Sequence, residues 1–186
     1  MNRILHALLG CSLLCAAAAA ADPRLPVESR VPGGIALLDL GQGESAPGAV
    51  MYNEHRAPVV RSDGRWVAVI GIPLSVTPGT EQAILQPGDG TGARRELPVV
   101  VEAKQYQEQR LTIKNRRQVE PNDEDLERIA AERVRIDRAL GHYSEDQEPG
   151  FRMVVPVPGR RSSSFGLRRF FNDQPRNPHS GLDIAA

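Results

Sequence analysis

Near the end of this 186-residue chain, His179 and Asp183 stand four positions apart with Gly181 between them. An imidazole and a carboxylate are two of the side-chain types that hold a catalytic zinc. The glycine lets the backbone turn so that both side chains can face one point. Taken alone the pair is a weak signal, because a surface histidine near a carboxylate arises in many proteins. Two ligands also leave a zinc site incomplete, since catalytic sites use three protein donors and keep one position open for water.

The surrounding string is more specific. Val154-Val155-Pro156-Val157-Pro158-Gly159 reads as the entry to a strand, and Ser163-Ser164-Phe165-Gly166-Leu167-Arg168 follows. A polar loop then runs from Phe171 to Pro178, ahead of the closing His179-Ser180-Gly181-Leu182-Asp183-Ile184-Ala185-Ala186. Residues 151–186 hold six arginines against two aspartates, a net +4, although the whole chain balances 23 basic with 23 acidic residues. That balance gives no reason to expect a nucleic-acid partner. The local excess fits either an ordinary basic surface or a groove for an anionic or carboxylate-bearing substrate. The chain has no P-loop, no dinucleotide-binding fingerprint and no His-Glu-x-x-His helix.

Residues 154–186 closely resemble the opening of the M23 (LytM/lysostaphin-like) zinc metallopeptidases, whose domains begin with S-x-F-G-x-R, a variable loop and H-x-G-x-D-I-A. The resemblance implies that His179 and Asp183 are the first two zinc ligands and that Arg168 lines the substrate groove or forms a structural ion pair. It implies Zn2+ as cofactor and peptidoglycan peptide cross-links as substrate, hence an exported cell-wall hydrolase. The family also has a later His-x-His that supplies the third ligand and a catalytic histidine. That motif does not occur up to Ala186, and His6, His55 and His142 lack its spacing. The expectation is therefore an incomplete peptidase domain, with its catalytic residue beyond Ala186, that binds zinc poorly and is inactive. Some relatives have lost ligands and regulate other wall hydrolases by binding them, so the alternative expectation is a non-catalytic envelope protein with envelope partners.

Several elements must deliver that stretch. Met1-Asn2-Arg3, the apolar run Ile4–Leu14 and the small residues Ala16–Ala21 form the pattern of a secretory signal peptide over 1–21. A retained membrane helix is the alternative, and a lipobox at Leu8-Leu9-Gly10-Cys11-Ser12 is another, which would anchor the protein through an acylated Cys11. Cleavage at the end of this segment removes Cys11 and Cys15, the only cysteines, so the exported chain has no disulfide and no thiolate ligand. The expected location is the periplasm or cell envelope.

Residues 22–30 read as a polar tether, and 31–120 as an N-terminal β-domain. Short apolar runs at 33–40, 49–52 and 58–61 are separated by turn formers. Arg65–Pro73 is the strongest strand signal, and 81–85 and 94–101 follow, with 103–110 as a possible continuation. This spacing predicts an antiparallel β-sandwich or barrel. Trp66, the only tryptophan, is expected to pack on a central strand, and His55 to lie in a polar loop. Residues 111–120 read as a basic connector.

Within 121–150, one helix is predicted at about 123–140. Asn122 is its N-cap, Asp125 can complete a capping box, and Gly141 ends it. Its stripe of Leu126, Ile129, Ala130, Val134 and Leu140 is expected to pack on a sheet. His142 and Tyr143 are expected to cap or pack. The acidic stretch 144–150 marks a boundary, and 151–186 contributes the first strands of an antiparallel-sheet peptidase domain. The fold class is thus mainly β.

Overall fold

The computed structural model describes residues 24–88, 92–144 and 150–186. The signal expected over 1–21, with Cys11, lies outside the described residues. Within them, no helix is long and apolar enough to cross a membrane.

The first part of the chain is a sandwich of two antiparallel sheets. One sheet has β1 (Ile35–Gln42), β5 (Arg65–Gly71) and β4 (Val59–Ser62) in the order β1-β5-β4. The other has β3 (His55–Ala57), β2 (Gly48–Tyr52), β6 (Gly79–Pro87) and β7 (Arg95–Val101) in the order β3-β2-β6-β7. Successive strand side chains point to opposite faces, and β1 shows this directly: Ala36, Leu38 and Leu40 are buried while their neighbours are not. These residues meet Ala68 and Ile70 of β5, Val50 and Tyr52 of β2, Ala83 and Leu85 of β6, and Val99 and Val101 of β7 in one core. Ile70, Val50 and Val99 are its largest fully buried side chains, and burial of each contributes about 1.5–3 kcal/mol. Trp66 packs half-buried against this core and donates from Nε1 to the Gly43 carbonyl at 3.1 Å.

Two local expectations are corrected. His55 lies in a strand, not a loop: Asn53 and Glu54 take positive φ values of 45° and 66° and close a tight β2–β3 hairpin. The end of the 22–30 segment is tied down, with Ser29 bonded reciprocally to Ile35 and the Glu28 carboxylate accepting from the Leu37 amide at 2.9 Å.

Beyond β7 the chain builds two small sheets. β8 (Glu108–Leu111) pairs in parallel with β10 (Arg168–Phe171), which turns back antiparallel into β11 (Gln174–Pro175). β9 (Arg160–Ser163) pairs antiparallel with β12 (Asp183–Ala185). The run 154–159 leads directly into β9 at Arg160, as expected, and Met153, Val154 and Val155 ahead of it are exposed. The 111–120 segment is more than a connector. It holds a 3-10 turn at Arg116–Gln118 and bonds to the later segment: the Asn172 side chain bridges both backbone groups of Ile113, and Arg176 Nη2 donates to the Val119 carbonyl at 2.6 Å.

The helix α1 spans Asp123–Leu140. The Asn122 side chain caps it by accepting from the Asp125 amide at 3.0 Å. The Asp125 carboxylate does not complete a capping box; it forms a two-point pair with Arg117 instead. The Arg117 guanidinium, chiefly through these hydrogen bonds, holds Asp125 below the usual carboxylate range. Gly141 ends the helix in right-handed geometry at φ −79°. The expected packing of the stripe on a sheet is overturned, because no residue of α1 is buried and Leu126, Ile129, Val134 and Leu140 are all exposed. Its cap and the one-turn pairs Arg128–Glu132 and Arg133–Asp137 support it locally. After the helix, Tyr143 lies under the Arg56 guanidinium of β3 at 4.7 Å.

Candidate metal centre

The β9–β12 pairing sets Asp183 opposite Ser163. Two backbone bonds fasten the loop ahead of β12: the Gly166 amide donates to the His179 carbonyl at 2.7 Å, and the His179 amide to the Leu167 carbonyl at 2.9 Å. The strings 163–168 and 179–183, distant in sequence, therefore face each other.

His179 Nδ1 lies 2.9 Å from the Ser164 carbonyl and 3.0 Å from Ser163 Oγ. A carbonyl can only accept, so Nδ1 carries a proton and Nε2 is the ring nitrogen left for a metal. Ser163 Oγ, which also receives a bond from Arg169 Nη2 at 3.0 Å, then serves as a second acceptor. Nε2 faces Asp183 Oδ1 at 3.3 Å. The imidazole is well enclosed, with 11% of its side chain exposed, whereas Asp183 is 54% exposed. One basic nitrogen thus converges with an open carboxylate, and the other nitrogen is fixed by an outer hydrogen bond, as metal-binding histidines usually are. The pair fits two positions of a zinc site. Among the described residues, no group of three or more His, Cys, Asp or Glu gathers.

The two neighbouring arginines of β10 part ways because adjacent strand residues face opposite sides. Arg168 points away from the pair, toward Glu108 at 3.5 Å on β8. It lines a cleft of about 590 Å³ with Lys104, Tyr106, Gly166 and Pro178. Arg169 is the one at the pair, 3.7 Å from Asp183, with its Nε buried and without a hydrogen-bond partner among the described residues. Ser163 is the first residue of the S-x-F-G-x-R string, but nothing in the sequence marked its contact with His179, and Arg169 had no signal beyond its proximity to that string.

The chain thus carries a β-sandwich followed by a converging His–Asp pair. Residues 28–104 match the model of the peptidase family M23 N-terminal domain. A solved structure assigned to peptidase M23, from Pseudomonas aeruginosa, is similar over 86% of this chain with 31% identity and a TM-score of 0.62. The chain spans 56% of that protein's length. No curated protein matches it. Together the two likenesses support an M23 family peptidase, with the family's N-terminal domain at its front.

Proposed function

We propose that the chain is part of an exported zinc metalloendopeptidase that cuts peptide cross-links of peptidoglycan. The observation that carries this reading is the convergence of His179 Nε2 on Asp183, with Nδ1 tied to the Ser164 carbonyl. Zinc bound there supplies a water of lowered pKa and polarises the scissile carbonyl. This chain's own residues orient that chemistry: Ser163 and Ser164 hold the His179 tautomer, and Arg169 places a cation beside Asp183. Arg168, on the other face of β10, pairs with Glu108, which supports the structural ion-pair role over the groove role. The two ligands need further donors, so the 186-residue chain is expected to bind zinc weakly and to leave a wall suspension turbid.

Equilibrium dialysis against zinc tests the site. Asp183→Asn should abolish uptake; because its partners His179 and Arg169 are mostly buried, urea unfolding of the variant is measured alongside to show that it remains folded. Equal uptake by variant and wild type would refute the ligand assignment. For the substrate, the full-length gene product is incubated with zinc and purified sacculi, and released peptides are identified by mass. Cleaved cross-links support the enzyme. A zinc-loaded protein that binds sacculi or other hydrolases without cleavage points to the non-catalytic envelope protein instead.

A further inference from the structure

The turn of the peptidase-like motif is seated on the N-terminal sandwich by two reciprocal ring–glycine contacts. The Tyr106 ring lies over Gly166 so closely that a Cβ there would fall inside it. The Phe165 ring in turn reaches Gly33, where a Cβ would lie 2.7 Å from Cε1. Both glycines have positive φ, +84° and +79°, a conformation that L side chains rarely adopt. The two rings meet edge to face, with centroids 6.5 Å apart. The Tyr106 hydroxyl donates to the Pro32 carbonyl at 2.7 Å, which fixes the far end of the ring beside Gly33.

From this contact the route to the candidate metal ligand is short. Gly166 donates its amide to the His179 carbonyl, and Ser164, two residues earlier, supplies the carbonyl that aligns the imidazole. The β8–β10 ladder cannot do this alone. It starts at Arg168, whose amide bonds to Gln107, and so holds only the far end of the turn.

We propose that Tyr106 is a positioning residue for His179. Its ring fills the space over Gly166, holds the 164–167 turn, and so sets the orientation in which His179 presents Nε2. The consequence for zinc rests on reading His179 as a ligand; the geometric claim does not.

The test uses the full chain labelled with 15N, reading amide exchange at Gly166 and His179 and the His179 tautomer from long-range 15N–1H couplings. In the wild type both amides should be protected and the ring proton should sit on Nδ1. Tyr106→Ala should lower protection at these two amides at least tenfold and mix the tautomers, while the amides of β5 keep theirs. Tyr106→Phe keeps the ring and should stay within threefold of wild type. Gly166→Ala provides a second route, since the added methyl displaces the ring. It should cause at least the tenfold loss in the wild type and a clearly smaller further loss in Tyr106→Ala, the remainder being the strain that a side chain at φ +84° carries without the ring.

Unchanged protection in Tyr106→Ala, fully multiplicative effects of the two changes, or an equal loss in β5 would overturn the proposal. Titration with zinc alone separates the two readings. If the wild type takes up no zinc but exchange and tautomer respond to Tyr106, the ligand reading fails and the positioning role stands. If zinc binds and neither readout responds, the positioning role fails.

Discussion

The same deletion made in two places should have very different consequences. Val99 on β7 is fully buried, whereas Val134 on α1 is 70% exposed. Val99→Ala removes two methyl groups from the sandwich core, worth about 1.6 kcal/mol at roughly 0.8 kcal/mol per carbon. The space left behind adds on the order of 1 kcal/mol, because the surrounding strands relax only in part. The expected loss is about 2.5 kcal/mol, a large fraction of a stability of roughly 5–15 kcal/mol. In a domain of this size it lowers Tm by about 10–20 °C. Val134→Ala loses little burial and gains a few tenths of a kcal/mol of helix propensity, so its effect should lie within about 0.5 kcal/mol of zero. Urea unfolding reads both variants, with Trp66 emission following the sandwich and circular dichroism at 222 nm following the helix. A loss above about 1 kcal/mol for Val134→Ala would refute the argument, since it would mean that α1 does bury its apolar stripe.

Other expectations follow from single contacts. Asn122→Ala removes the cap of α1 and should cost about 0.5–2 kcal/mol, seen as reduced helical dichroism. Unchanged helicity would show the cap to be idle. The Tyr52 hydroxyl is buried and, among the described residues, has no hydrogen bond of good geometry, with the Asn53 side chain as its polar neighbour, so Tyr52→Phe should be neutral or stabilising by up to about 1 kcal/mol in urea unfolding; a clear loss would assign Asn53 as a true partner. Asp39 is held below the usual carboxylate range, first by hydrogen bonds from Arg65 and then by the Gly41 amide. A carboxyl with a depressed folded pKa contributes stability that is present above its unfolded value of about 3.9 and is lost as pH falls through the folded one. The stability difference between wild type and Asp39→Asn should therefore be present at neutral pH and disappear on acidification below that range. A difference that survives there would assign it to something other than the charge.

Much of the sandwich was legible because its strands are β-branched runs bounded by turn residues, and Arg65–Gly71 is the clearest case. β3 was not, because its hairpin is closed by Asn53 and Glu54 rather than glycine, and the strand itself is only His-Arg-Ala. The β8–β10 pairing has no local signature, since parallel partners sit far apart in sequence. Helical periodicity gave the span of α1 correctly but not its burial. Period reports which residues share a face, and whether anything covers that face is a tertiary matter. In the candidate site, the motif pointed to His179, Asp183 and Arg168. That Arg169, not Arg168, stands beside Asp183 depends on which face of β10 each occupies, and a shift of one residue inverts it.

The parallel union of β8 and β10 also orders events in time. Glu108 must wait for Arg168, sixty residues later, before its strand has a neighbour. During synthesis the sandwich can close while β8 still presents an open edge. Its sequence, Glu-Gln-Arg-Leu, carries charge of both signs, the kind of composition that discourages pairing with another chain. The loop bearing His179 packs only after β10 arrives, so the His179–Asp183 pair is a late product of folding. A chain stalled before that step is a folded sandwich without it.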